Sequence, residues 1–252
     1  MTDPLIQCLR QLKLSWMFDN HEAELAEAAR RNRSHHDLLL RRLTGEVEAV
    51  QARSIERRIS LARLPARRTL ETFDWQWPKV INRDQIRQRF TPGFLNQCRN
   101  VVFIGTVGLG KTHLAIALAL EACQHNHSVL FAPAVEIINT LAEARAENRL
   151  RKAIRRYTAP AVLVIDELGY LPVDRVGAEL LFQVLGERDE KGSTIITTNR
   201  ACKHWSKTFA NDATLASAVL DRVVHHCETV VIEGKSYRLK DRISQDEPGD
   251  SE

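Results

Sequence analysis

Apolar positions along this chain recur first with a helical period and later as short continuous runs, and the change from one to the other divides it. Leu5, Leu9, Leu12 and Trp16 stand at i, i+4, i+7 and i+11, the spacing of one apolar stripe on a first helix. Ser34, followed three residues later by Asp37, resembles a capping box, and from there Leu40, Leu43, Val47, Val50, Ile55, Ile59 and Ala62 carry a helical period to Pro65. Gly45 is expected to weaken that helix locally, because glycine has the most backbone freedom to lose. A stretch at 69–90 holding Phe73, Trp75, Trp77 and Pro78 follows. Beyond it lie apolar or β-branched runs at Val101 to Ile104, Ser128 to Phe131, Ala161 to Ile165, Thr194 to Thr197 and Thr229 to Ile232. Runs of this kind suit strands buried on both faces of a parallel sheet, and helical segments lie between them. The pattern therefore predicts an α/β domain with a five-stranded parallel sheet, preceded by a small all-helical domain. The expected divisions are a helical domain at 1–68, a linker at 69–90, the α/β domain at 91–240 and a tail at 241–252.

Composition narrows the class without changing this picture. Hydrophobic residues make up 44% and charged residues 27% of the 252 positions, which excludes wholesale disorder. The longest apolar run, Leu114 to Leu120, falls far short of the roughly 18 to 20 residues that a membrane span needs. Met1, Thr2, Asp3 and Pro4 lack the basic stretch and apolar core of a secretory signal, so a cytoplasmic protein with no membrane partner is expected. Cysteines at 8, 98, 123, 202 and 227 spell neither a zinc ribbon nor a disulfide framework. His225, His226 and Cys227 are a possible metal cluster, although adjacent residues seldom converge on one ion.

Charge is distributed unevenly. Residues 1–70 carry 13 Lys and Arg against 9 Asp and Glu, whereas the rest of the chain carries 23 of each, so the whole net charge of +4 lies at the front. Arg30 to Arg68 alone holds 11 basic groups against 4 acidic ones, and the tail from Asp241 to Glu252 is acidic. A basic arm points to phosphate partners such as DNA, and a solvated helix face is the competing reading.

Gly105-Thr106-Val107-Gly108-Leu109-Gly110-Lys111-Thr112 matches G-x-x-x-x-G-K-[ST], directly after one predicted strand and before a helical run. In that context glycines let backbone N–H groups curl around a phosphate, Lys111 reaches the β and γ oxygens of ATP, and Thr112 ligates Mg²⁺. The glycine spacing and the Lys-Thr pair disfavour a dinucleotide site. The run from Ala161 ends in Asp166 and Glu167. Asp166 is placed to hold the magnesium through water and Glu167 to orient the attacking water, while strand-end acids also serve as helix caps. Asn199 ends a further strand, where ligands bind in open parallel sheets; it is a candidate for holding the water or the γ-phosphate, or else a turn residue. Arg145, Arg149, Lys152 and Arg156 recur at i, i+4, i+7 and i+11, predicting one helix with a basic face and an apolar one.

In this order and spacing the phosphate loop, the acid pair and Asn199 resemble the AAA+ ATPases. More narrowly, the chain is similar to the IstB-type helper ATPases of insertion sequences, relatives of the DnaC-type helicase loaders. The segments carrying that match are Leu9 to Met17, Arg57 to Pro65, Thr72 to Trp75, Asp166 to Asp174 and Leu220 to His226. The resemblance implies an ATP-dependent helper of transposition that forms a homo-oligomer on DNA and assists a transposase, with a replicative helicase loader as the alternative. It implies that Arg222 is an arginine finger acting on a neighbouring subunit, against the reading of a helix salt bridge or surface arginine. It also implies that Arg145 to Arg156 contact DNA phosphates, and that Phe73 to Trp77 lie against the adenine, unless these aromatics plug the core. With only 14 residues after Arg238, no C-terminal helical lid is expected, and Arg238 is a candidate for the sensor arginine such a lid would carry.

Overall fold

The computed structural model describes residues 3–89, 97–170, 172–200, 205, 209, 212–224 and 227–237. By contacts the chain divides between Arg57 and Arg58, earlier than the boundary near residue 68 expected from the sequence.

In the first unit, Asp3 caps α1 (Pro4–Gln11) by accepting the Leu5 N–H. The predicted single stripe is interrupted. Lys13 adopts a left-handed conformation, the Leu14 N–H returns to the Leu9 carbonyl, and Trp16 belongs to a new helix, α2 (Ser15–Arg30). Leu9 is buried while Leu12 is 69% exposed. α3 (His35–Leu61) starts as expected, with the Ser34 hydroxyl accepting the Asp37 N–H at 3.1 Å and donating to its carboxylate at 2.7 Å. Gly45 is also a close contact: a Cβ there would stand 2.5 Å from the Trp16 indole. Leu40, Leu43, Val47 and Val50, which set the period of α3, are all half-exposed or more, whereas Arg42 and Glu46 are buried. Glu46 accepts the Met17 N–H at 2.9 Å, supplying a carboxylate to the first turn of α2, and pairs with Arg53.

The second unit follows the predicted alternation. Its described elements are α4 (Arg83–Arg89), β1 (Asn100–Ile104), α5 (Lys111–Gln124), β2 (Val129–Pro133), α6 (Ala134–Ala146), α7 (Leu150–Thr158), β3 (Val162–Leu168), α8 (Arg175–Arg188), β4 (Ser193–Thr198), α9 (Ala213–Val224) and β5 (Cys227–Val231). The five strands form one parallel sheet in the order β2-β3-β4-β1-β5. Alternate residues of each strand feed opposite cores, as a period of two requires. Phe103, Val164 and Ile195 pack with α5 on one side, and Val102, Ile165 and Ile196 with α6 and α8 on the other. Ala62, at the end of α3, is fully buried in the α5 core, and its carbonyl accepts the Phe131 N–H at 2.8 Å on edge strand β2. Residues just after Arg57 thus belong with the sheet.

Among the described residues no helix is long and apolar enough to cross a membrane, and no group of three or more His, Cys, Asp or Glu is set to hold a metal. His225, His226, Arg238 and the tail, on which the metal-cluster and lid readings bear, lie outside the described residues.

A candidate nucleotide site at the carboxyl ends of the strands

β1 ends at Ile104 and the chain turns through 105–110 into α5. Gly110, the residue before that helix, has φ 83°, which disfavours any side chain, and a Cβ on it would come within 2.5 Å of the Phe73 ring. Leu109 is buried and anchors the loop, while Lys111 Nζ donates to the Thr106 carbonyl at 2.7 Å. The first N–H groups of α5 lack partners within the helix and face the sheet end, the arrangement that receives an anion.

β3 delivers the acids. Asp166 is buried, and its Oδ1 accepts the Thr112 hydroxyl at 3.0 Å and the Thr197 hydroxyl at 2.5 Å. Glu167 is exposed, adopts φ 59°, and donates its N–H to Thr197 Oγ1 at 2.9 Å. Thr112 and Asp166 bring hard oxygen donors together, which fits magnesium. Val107 to Thr112, Glu167 and Asn199 line one cavity of about 490 Å³, with Gly105 and Thr106 at the root of the loop. The loop, Glu167 and Asn199 are therefore brought together, with Asp166 directly behind.

The other wall comes from the 69–80 segment and the residues after β5, also represented in the lining by Arg68, Thr72, Trp77 and Tyr237. Phe73 is buried edge-on against Trp75 and His113, at 4.9 and 5.3 Å between ring centroids. Trp77 donates its indole N–H to the Lys235 carbonyl at 2.8 Å and meets Tyr237 edge-on. Phe73 thus belongs to the core and also lines the cavity, and Trp77 lines the cavity beside it.

His113 was not singled out by the motifs, yet its Nε2 lies 2.8 Å from the Thr69 carbonyl and 3.2 Å from the Thr72 hydroxyl, fastening this segment to α5. Burial, helped by the charge of Arg68, holds its pKa below the ordinary 6.5 against the raising effect of the Thr69 carbonyl. The unfolded chain then binds a proton more readily than the folded one, so this contribution to stability is present above pH 6.5 and is lost as the pH falls below it. The thermal midpoint is expected to drop between pH 7 and 5.5, and to drop less steeply in His113→Gln.

Two predicted groups lie elsewhere. Arg222 on α9 does not line its own chain's nucleotide cavity; its guanidinium sits 4.6 Å from the centre of the Phe182 ring on α8, in a surface depression of its own. Among the described residues it meets the Phe182 ring, on a surface of α9 turned to α8. The basic stripe is not one helix. Asn148 takes a left-handed conformation, the Arg149 N–H returns to the Ala144 carbonyl at 2.7 Å, and this closure separates α6 from α7. Arg145 therefore ends α6, Arg149 precedes α7 and pairs with Glu147, and only Lys152 and Arg156 lie in α7. Arg156 faces Glu136 at 3.6 Å and Tyr157. The exposed bases of α7 are Arg151, Lys152 and Arg155, so the sequence period missed Arg151 and Arg155. An asparagine in the middle of the stripe was the signal for the break.

A family model for IstB-like ATP binding proteins matches residues 7–245. The chain is 39% identical over 234 residues to an insertion sequence IS21 protein of Pseudomonas aeruginosa named for ATP binding, with 93% of this chain and 88% of the relative covered. It is 36% identical over 247 residues to the corresponding insertion sequence IS5376 protein of Geobacillus stearothermophilus, with 98% of each chain covered. The fold is similar to that of the DnaC helicase loader, with TM-score 0.55 and 24% identity over 66% of this chain and 96% of that one. That likeness speaks for the AAA+ fold alone. The match along nearly the whole length, with insertion-sequence relatives above a third identical, shows that the chain belongs to the family of IstB-like ATP-binding proteins.

Proposed function

We propose that this chain hydrolyses ATP, oligomerises on DNA and assists a transposase in selecting or joining its target. The observation that carries the hydrolytic part is that Glu167 and Asn199 open onto the same cavity as Lys111 and Thr112. In this reading Lys111 and the loop N–H groups, from Gly105 to Thr112, hold the phosphates. Thr112 and Asp166 hold magnesium, which neutralises charge on the β and γ oxygens when bound. Glu167 orients and polarises the attacking water, and Asn199 steadies that water or the γ-phosphate. Arg222, which faces away from its own cavity, stabilises the developing charge at a neighbour's site.

The insertion-sequence setting of the relatives supports the transposase partner. The net positive charge of the front of the chain and the bases from Arg145 to Arg156 support contact with DNA backbone, with residues 1–68 as the DNA or partner arm. Two measurements on the full chain test this. Reversing Arg149 and Lys152 to Glu should weaken binding to unrelated DNA sequences alike and lower the slope of log affinity against log salt by about 2, since each lost phosphate contact removes about one unit. Unchanged affinity and slope would return these residues to a solvated surface. Co-precipitation should capture the insertion sequence's transposase, whereas capture of a replicative helicase would make the protein a loader.

A further inference from the structure

One fully buried hydroxyl at the site belongs to a residue that no motif selects. Thr197 is 1% exposed on β4, two positions before Asn199. Its oxygen is used twice, donating to Asp166 Oδ1 at 2.5 Å and accepting the Glu167 N–H at 2.9 Å. Because Asp166 Oδ1 also accepts the Thr112 hydroxyl, one chain of hydrogen bonds runs from the start of α5 through Asp166 and Thr197 to the backbone of Glu167. The last link falls where β3 departs from regular pairing: the β3–β4 register shifts between Ile165 and Leu168, and Glu167 takes its left-handed φ of 59°. A glutamate seldom adopts that conformation unless its surroundings hold it there. The Thr197 hydroxyl occupies the place of a ladder acceptor for the displaced N–H.

We propose that Thr197 is a positioning residue for both acids, fixing the Asp166 oxygen beside Thr112 and holding Glu167 in the backbone conformation that opens its side chain to the cavity. The inference rests on the reading of Asp166 and Glu167 as the hydrolytic acids. Chemically it assigns to one neutral hydroxyl the coordination of a metal-side carboxylate with a water-side carboxylate, so that neither can be displaced without the other. Threonine suits the place because its branched side chain packs in a fully buried strand while still offering one donor and one acceptor.

Valine has nearly the same shape and deletes both bonds, whereas serine keeps the hydroxyl and loses the methyl group. The test uses the full chain as wild type, Thr197→Val, Thr197→Ser and Glu167→Gln, and compares amide hydrogen exchange over residues 163–169 without nucleotide, ATP affinity with and without magnesium, and turnover. Thr197→Val should speed exchange of the Glu167 amide while exchange over β1 stays as in wild type. It should leave ATP affinity without magnesium within about twofold, and lower turnover and the affinity gained on adding magnesium by about 10- to 100-fold, the usual cost of losing an outer-shell partner. Thr197→Ser should resemble wild type in all three. Wild-type exchange at Glu167 in Thr197→Val overturns the proposal. If valine loosens the whole sheet, serine decides: restored exchange and turnover support the positioning role, and a serine variant as impaired as valine reduces Thr197 to packing. Full turnover in Glu167→Gln would remove the reading of the acids, while the exchange comparison would still report on the hydroxyl bond itself.

Discussion

Lys111→Ala is expected to abolish ATP binding or hydrolysis, whereas Glu167→Gln is expected to bind ATP like the wild type and lose turnover by a factor on the order of 10² or more. The two outcomes differ because the residues meet the nucleotide differently. The Lys111 ammonium stands beside the Thr106 carbonyl in the phosphate loop, and in the proposed reading it meets phosphate charge in the ground state. Glu167 stands at the end of β3 and in the proposed mechanism acts on water, so its amide counterpart keeps the shape but replaces one acceptor oxygen with a donor and cannot take up a proton. Nucleotide affinity by calorimetry and phosphate release under the same conditions separate the two effects. Equal affinity and turnover in Lys111→Ala would sink the assignment of the loop.

Arg222→Ala is expected to bind ATP and hydrolyse it poorly, losing about 10³-fold or more if it matches other arginine fingers. Mixing it with Lys111→Ala should restore part of the activity, because one variant contributes intact phosphate loops and the other intact arginines. The guanidinium lies against Phe182, away from its own chain's cavity, so its loss should leave that cavity's lining untouched. Steady-state hydrolysis over a range of mixing ratios provides the check. No recovery at any ratio, with mixed oligomers demonstrated by crosslinking, would count against action across a subunit boundary.

The strands and the chemistry at their ends were legible because each has a local cause. Buried parallel strands require unbroken apolar runs, and a phosphate loop requires glycines and a lysine at fixed offsets, so β1 to β5, Lys111, Thr112, Asp166 and Glu167 can be read without knowing what touches them. The helices were legible in period but not always in face or extent. Nothing local distinguishes the exposed Leu40 and Val47 from core residues, and the partner that meets buried Glu46 is a backbone N–H 29 residues earlier. The breaks at Lys13 and Asn148 depend on single left-handed residues that periodicity averages over. His113 and Thr197 escaped for the opposite reason: each is an ordinary polar residue until tertiary folding sets a carbonyl or a carboxylate beside it.

The bond between the Ala62 carbonyl and the Phe131 N–H has a practical consequence for dividing the protein. β2 is an edge strand, and an uncovered edge is a template for pairing with other chains and hence for aggregation. A fragment begun at residue 69, where the composition changes, would discard the fully buried Ala62 along with that cover, whereas one begun at residue 58 keeps both. A fragment of the sheet domain that precipitates when cut at the compositional boundary would therefore be reporting an unprotected strand, not a defect at its nucleotide site.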